Sequence, residues 1–322
     1  MNGERMPVLS IIACEMLEDE LAYVLSEDHD LGQLIVLENR QSFRFVRKLK
    51  SRNCQLRLFP LEKVPIFLKG VNNSVYNSAS VNILKLLLKF QFFEKIPHHI
   101  RKKSKEKNNE KNNEKNDEKN DEKNNEKNKE KPIIVVNTLK LGLHADCELL
   151  RSEIYQHIKK MAAFSDGILI FYGNCGHSLR NTEEEFKDLP CSLYFLKDEK
   201  GEIVDDCISV ALGGNDNYAE VMQGGNGTGM IYLTPMWASS WKQMRKESNN
   251  TSDFNDSFLK RHYKKVVKIN NNISTGSEFD ENVLDYAQTF DMSIAEMEGS
   301  MEIASRSYLN AKNNVCKRVL SD

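Results

Sequence analysis

Three cysteines in this chain directly follow short apolar runs: Cys14 after VLSIIA, Cys175 after GILIFY in the turn YGNCG, and Cys207 after EIV in DDC. In an open parallel sheet the C-terminal strand ends share one edge, and ligands bind in the crevice there. If all three runs are parallel strands, the three thiols meet at that edge. Convergent thiols have three chemical uses. As thiolates they bind zinc or iron, with Glu15, His144, His177 or water in a fourth position. They can hold an iron–sulfur cluster with one non-cysteine ligand. One of them can instead act as a nucleophile or redox thiol, activated by a helix N-terminus or a neighbouring histidine. Gly173 and Gly176 flank Cys175 and suit a tight turn in which backbone approaches a bound cofactor. Asp205 and Asp206 reach the same edge. The bland alternative is that buried cysteines are small hydrophobes, and no CxxC pair adds a local metal signature. Cys54, Cys147, Cys191 and Cys316 have no strand-end placement and read as packing residues.

The elements that must position these residues are legible as alternating short apolar runs and amphipathic stretches. Runs at 8–13, 34–37, 133–137, 167–172, 192–196, 230–234, 266–269 and 292–297 are strand candidates, most of them followed by a helical pattern. Met16, Leu17, Leu21, Val24 and Leu25 share a helical face after Cys14, and a basic helix is expected around Phe43 to Leu49. Asp146 is a natural N-cap for a helix with Leu149, Leu150, Ile154, Ile158 and Met161 on its apolar side. Fully apolar strands alternating with helices indicate a doubly wound α/β fold, with a mainly parallel sheet covered on both faces.

Residues 101–131 break the pattern. They hold 12 Lys or Arg, 9 Asp or Glu, 9 Asn and one Ser, with no apolar side chain. Glu and Lys each recur every four residues, from Glu110 to Glu126 and Lys111 to Lys127, so a helix would set like charges at i,i+4. A disordered linker is expected. Before it, VNILKLLLKFQFFEKI at 81–96 reads as an apolar helix, so residues 61–100 are taken as a helical insertion. The α/β domain is then 7–60 with 133–322.

Composition excludes several function classes. The net charge is −2, and the polar tract carries more bases than acids, so the remainder is more acidic still and offers no general attraction to nucleic acid. No apolar run reaches membrane-spanning length, and Met1 to Pro7 lacks a signal-peptide stretch, so a cytoplasmic protein is expected. Seven scattered cysteines then read as thiols in a reducing compartment. The stretch LGGNDNYAEVMQGGNGTGM precedes a strand instead of following one, so Gly225, Gly227 and Gly229 form a turn and no dinucleotide fingerprint. Trp237 and Trp241, four apart, read as core residues.

The succession IIACEML, ELAYVL, GLH, YGNCGHSL, DDCISVALGG and GTGMIYLTPMW, with HYKKVVKIN and EGSMEIASRSYLNAK further on, resembles the uncharacterised family DUF1638 of methanogenic archaea and some anaerobic bacteria. The resemblance covers residues 8 to 50 and 133 to 315. It places the family's cysteines at Cys14, Cys175 and Cys207 and its histidine at His144. This sequence differs by the insertion at about 53–132 and by a longer hairpin, LKDEKGE, which lengthens the path to Cys207. The family has no established activity. Its setting implies a role supporting corrinoid-dependent methyl transfer, with a methyltransferase-system protein as a partner. The expectation is therefore a zinc, iron or iron–sulfur protein ligated by Cys14, Cys175 and Cys207, with His144 or Glu15 nearby. The competing reading is a non-catalytic module that binds a small molecule or partner, with structural cysteines.

Overall fold

The computed structural model describes residues 5–76, 131–141, 143, 146–224, 229–247, 252–273 and 277–321. The chain begins with β1 (Val8–Cys14), buried at every position because no side chain in VLSIIAC requires water. It continues through α1 (Glu18–Ser26), β2 (Gln33–Leu37), α2 (Ser42–Ser51), β3 (Arg57–Phe59) and α3 (Val64–Tyr76). Then come β4 (Ile133–Leu139), α4 (Cys147–Ala162), β5 (Gly167–Phe171), a short α5 (Thr182–Glu185), β6 (Ser192–Phe195), α6 (Cys207–Leu212) and α7 (Asn215–Gln223). The six strands form one parallel sheet in the order β3-β2-β4-β1-β5-β6.

That order contains a reversal. From β1 the chain winds outward through β2 to β3, returns to β4 between β2 and β1, and then proceeds to β5 and β6 on the other side. Right-handed crossovers in opposite directions put α1 and α2 on one face and α4 on the other. The sheet is thus doubly wound, with its switch point between β1 and β4.

The remaining strands form a second parallel sheet, β7 (Gly229–Leu233), β8 (Tyr263–Asn270) and β9 (Ser293–Glu298), in sequential order. They are joined by α8 (Pro235–Glu247), α9 (Ser252–His262) and α10 (Ser277–Phe290). Trp241, Tyr286 and Phe290 pack edge-on or tilted in its core. Tyr232, Met236, Val267 and Ile269 of the same unit belong to the main core, so both sheets share packed apolar surface. The final helix, α11 (Glu302–Ser321), returns to the first sheet and packs on α1, β1, β5 and β6. There Asp28 takes a hydrogen bond from Tyr308 at 2.5 Å and an ion pair from Lys312 at 2.6 Å, all three side chains being buried.

The eight strands expected between residues 8 and 297 are present, but EIV before Cys207 is no parallel strand: Ile203 makes only an antiparallel bridge to Lys197, because the segment folds back as a hairpin. The structure adds β3, and it divides the strands between two sheets. Asp146 caps α4 by accepting from the amides of Glu148 and Leu149. Leu150, Ile154, Ile158 and Met161 are buried as expected, whereas Leu149 is exposed. Helix α3 sends Val64, Phe67, Leu68 and Val71 into the main core. The helix expected at 81–96 and residues 101–130 of the polar tract lie outside the described residues. No helix among the described residues is long and apolar enough to cross a membrane.

Candidate functional site at the C-terminal edge of the first sheet

Strand register sets the site. Cys14 pairs with Leu139 of β4, and Ala13 with Phe171 of β5, so the three strands end level with one another. After β5, the amide of Asn174 donates to the Val204 carbonyl at 2.7 Å, and the Asn174 side chain accepts from the amide of Leu179 at 2.9 Å. This lays the YGNCG turn against the loop that carries Cys207. Gly173 is required there because a Cβ would collide with the backbone of Asp206. Asp206 in turn caps α6, accepting from Ile208 and Ser209 at 2.8 Å each, which makes Cys207 the first residue of that helix. The longer LKDEKGE segment does not displace Cys207. It closes as a hairpin, with Lys197 bridged to Ile203 and the Val204 amide donating to Leu196, and so returns the chain to the sheet edge.

The three thiols are neighbours, close enough for their charges to act on one another. Burial pushes Cys14 well above the usual thiol range, and Cys207 and Cys175 push it further. Burial raises Cys175 to about 12, with Asp206 adding to the shift. Cys207 is raised first by burial and then by Cys175 and Asp206. Acting against these effects, two of the sulfurs accept from an N–H donor. The Met16 amide donates to Cys14 at 3.3 Å and the Trp237 indole to Cys207 at 3.1 Å. The backbone of Cys175 itself and that of Cys207 lower the Cys175 pKa in part. The Tyr172 hydroxyl is raised as well, chiefly by burial and then by Cys14. Bonds to the anionic form favour that form.

The sequence of residues 138–308 matches a family described as "Protein of unknown function (DUF1638)". The chain belongs to the DUF1638 family. No curated protein and no solved structure matches it. The matched segment includes Cys175, Cys207 and Trp237, while Cys14 lies before it.

Within this DUF1638 chain the other expected ligands divide. Glu15 is buried, but its carboxylate accepts from the Leu141 amide at 2.7 Å and faces Arg44 at 3.8 Å, on the side of the switch point. His144 lies outside the described residues. His177 is exposed, in the left-handed region at φ 60°, and Asp205 is exposed. Among the described residues no three His, Cys, Asp or Glu side chains are arranged to hold a metal ion. Gly176 is also left-handed, at φ 58°, and a Cβ on it would strike the Cys147 sulfur. Cys147 is therefore no packing residue as its sequence position implied: it is exposed at the start of α4 and acts electrostatically on Cys175. Cys191 is buried, and Cys54 and Cys316 are half-buried.

Sequence reasoning missed the role of Trp237. The available signal was positional, since Trp237 follows strand β7 much as Cys14 ends β1. It also missed two acids at the start of α1. Glu18 is fully buried, with neither carboxylate oxygen hydrogen-bonded, and burial raises it to about 8 despite Lys48 at 3.9 Å. Glu20 is raised by burial to about 7, and its carboxylate accepts from Asn271 at 2.9 Å.

Proposed function

We propose that the chain binds an iron–sulfur cluster or a single zinc or iron ion through Cys14, Cys175 and Cys207. The observation that carries this reading is that Cys14, Cys175 and Cys207 lie near enough at the sheet edge for Cys175 to raise the other two, with N–H donors on the Cys14 and Cys207 sulfurs. A neutral packed thiol needs no such donor. A buried thiolate does, and it also needs a cation to offset the burial that now raises all three groups. The donor set fits the chemistry of a soft metal. A single ion draws three sulfurs onto one centre, an arrangement absent among the described residues, whereas in a cluster each thiolate binds its own iron and the sulfurs stand farther apart. Of the two, we take the cluster as the form to test. When bound it supplies one-electron chemistry, which suits the methyl-transfer setting implied by the family resemblance. The chain contributes the donors, and hydrogen bonds to sulfur of the kind made by Trp237 tune the reduction potential.

The test is iron, zinc and acid-labile sulfide analysis of anaerobically purified protein, with absorption spectra, on the wild type and on Cys14→Ala, Cys175→Ala and Cys207→Ala. The expected result is a cluster absorption in the wild type that is lost in all three variants. Metal-free wild type, or equal content throughout, rejects the reading. One observation favours a second reading, a small-molecule-binding module with structural cysteines: the absence of a single-ion donor group among the described residues. That reading predicts metal-free protein with a normal fold.

A further inference from the structure

The switch point itself holds a second feature, separate from the thiols. A cavity of about 510 Å³ opens there, walled by Glu15 after β1, Lys140 and Leu141 after β4, Arg40, Phe43 and Arg44 after β2, and Gln243 of α8. Its walls are braced. The Asn39 amide donates to the Asn137 side chain and the Thr138 carbonyl at 3.1 Å each, while its oxygen accepts from the amides of Gln41 and Ser42, which ties the β2–α2 loop to β4.

The charge balance in this cavity is uneven. Three cations line it against one carboxylate, and that carboxylate is already engaged by the Leu141 amide and faces Arg44. The Arg40 and Lys140 side chains have no ion-pair or hydrogen-bond partner among the described residues. Arg44 also donates to Ser240 at 3.1 Å, which fixes its position from the α8 side. The largely exposed Phe43 ring supplies an apolar surface at the rim. A braced cavity with unpaired cations and one aromatic face, at the place where doubly wound sheets bind ligands, is built for an organic anion.

We propose that this cavity binds a small molecule bearing a carboxylate or phosphate group, held by Arg40 and Lys140 with Arg44 behind them. Arginine suits such groups because its planar fork matches two anionic oxygens at once. The site stands independently of any metal at the cysteines.

Isothermal titration of the full chain with inorganic phosphate and, separately, with citrate tests the proposal. The proteins compared are the wild type, Arg40→Gln, Lys140→Gln, Cys175→Ala and the control Lys159→Gln on α4, each checked for folding by thermal melting. Expected is saturable binding of at least one anion by the wild type, Cys175→Ala and Lys159→Gln. Binding is expected to weaken about tenfold or more in Arg40→Gln and Lys140→Gln. Preference between the two anions identifies the recognised group. Equal binding by all variants, or no saturable binding of either anion at about 10 mM, overturns the proposal.

Discussion

Cys14 and Glu15 are consecutive, yet they serve opposite sides of one strand end. On the side of β5 the Cys14 and Cys207 sulfurs are buried, accept from N–H donors and are raised by the half-buried Cys175. On the side of β4 the Glu15 carboxylate closes the floor of a cavity whose other charges are cations. The thiol side is held by backbone in close contact with backbone, the cavity side by side chains that reach into water. The first is therefore sensitive to any added atom, whereas the second tolerates substitution and registers it only as a change in binding.

The largest expected effect is on the thiol side. Gly173→Ala forces a Cβ into the backbone of Asp206, and a loss of about 3 kcal/mol in chemical denaturation is expected from overpacking that cannot relax. An unchanged midpoint would mean that the two loops are not in contact. Next comes Glu18. Its folded pKa, about 8, lies above the unfolded value near 4.5, so the folded state favours the protonated form. Its contribution is complete below the unfolded value and lost as pH rises through about 8. The wild type should therefore lose stability between pH 5 and pH 8. Glu18→Gln should flatten that slope and be more stable than the wild type at pH 8 by about 2 kcal/mol, with Glu20 leaving a residual slope. Parallel denaturation curves at the two pH values decide it.

Trp237→Phe removes the indole donor to Cys207 while keeping most of the ring, and a loss of about 1 kcal/mol is expected. In the proposed cluster-bound form the same change should shift the reduction potential with metal content unaltered, which a structural role alone does not explain. The smallest effect is expected on the cavity side. Lys140→Gln should alter stability by no more than about 0.5 kcal/mol, since the residue is exposed and unpaired among the described residues. A larger loss would show the cavity wall to be structural after all.

The first sheet was readable because its strands are buried on both faces and so appear as uninterrupted apolar runs, as in VLSIIAC and IIVVNTL. Strand β3 was not, because RLF is a three-residue edge strand with only partial burial, beside Pro60. Apolar runs also do not say which strand lies beside which, so the division into two sheets left no trace in the pattern. Strand-end position found Cys14 and Cys175; Cys207 reaches the same edge by another route, since EIV is no parallel strand and a hairpin returns the chain there. It could not find Cys147, whose approach to Cys175 depends on the left-handed turn at Gly176, a property of the backbone. The cavity was hidden for a related reason. Arg40, Arg44 and Lys140 look like ordinary surface charge until the β4 return brings two loops together across about a hundred residues of chain.

The return of α11 to the first sheet has a consequence for how the molecule is made. Asp28 meets Tyr308 and Lys312 across 280 and 284 residues, so the strands around Cys14 receive their last covering layer only when the end of that helix has left the ribosome. During synthesis the part of that face over β5 and β6 waits uncovered, and contacts of such long sequence separation close slowly. A nascent chain arrested before residue 302 should therefore engage holdase chaperones, with β1 and β5 exposed to them.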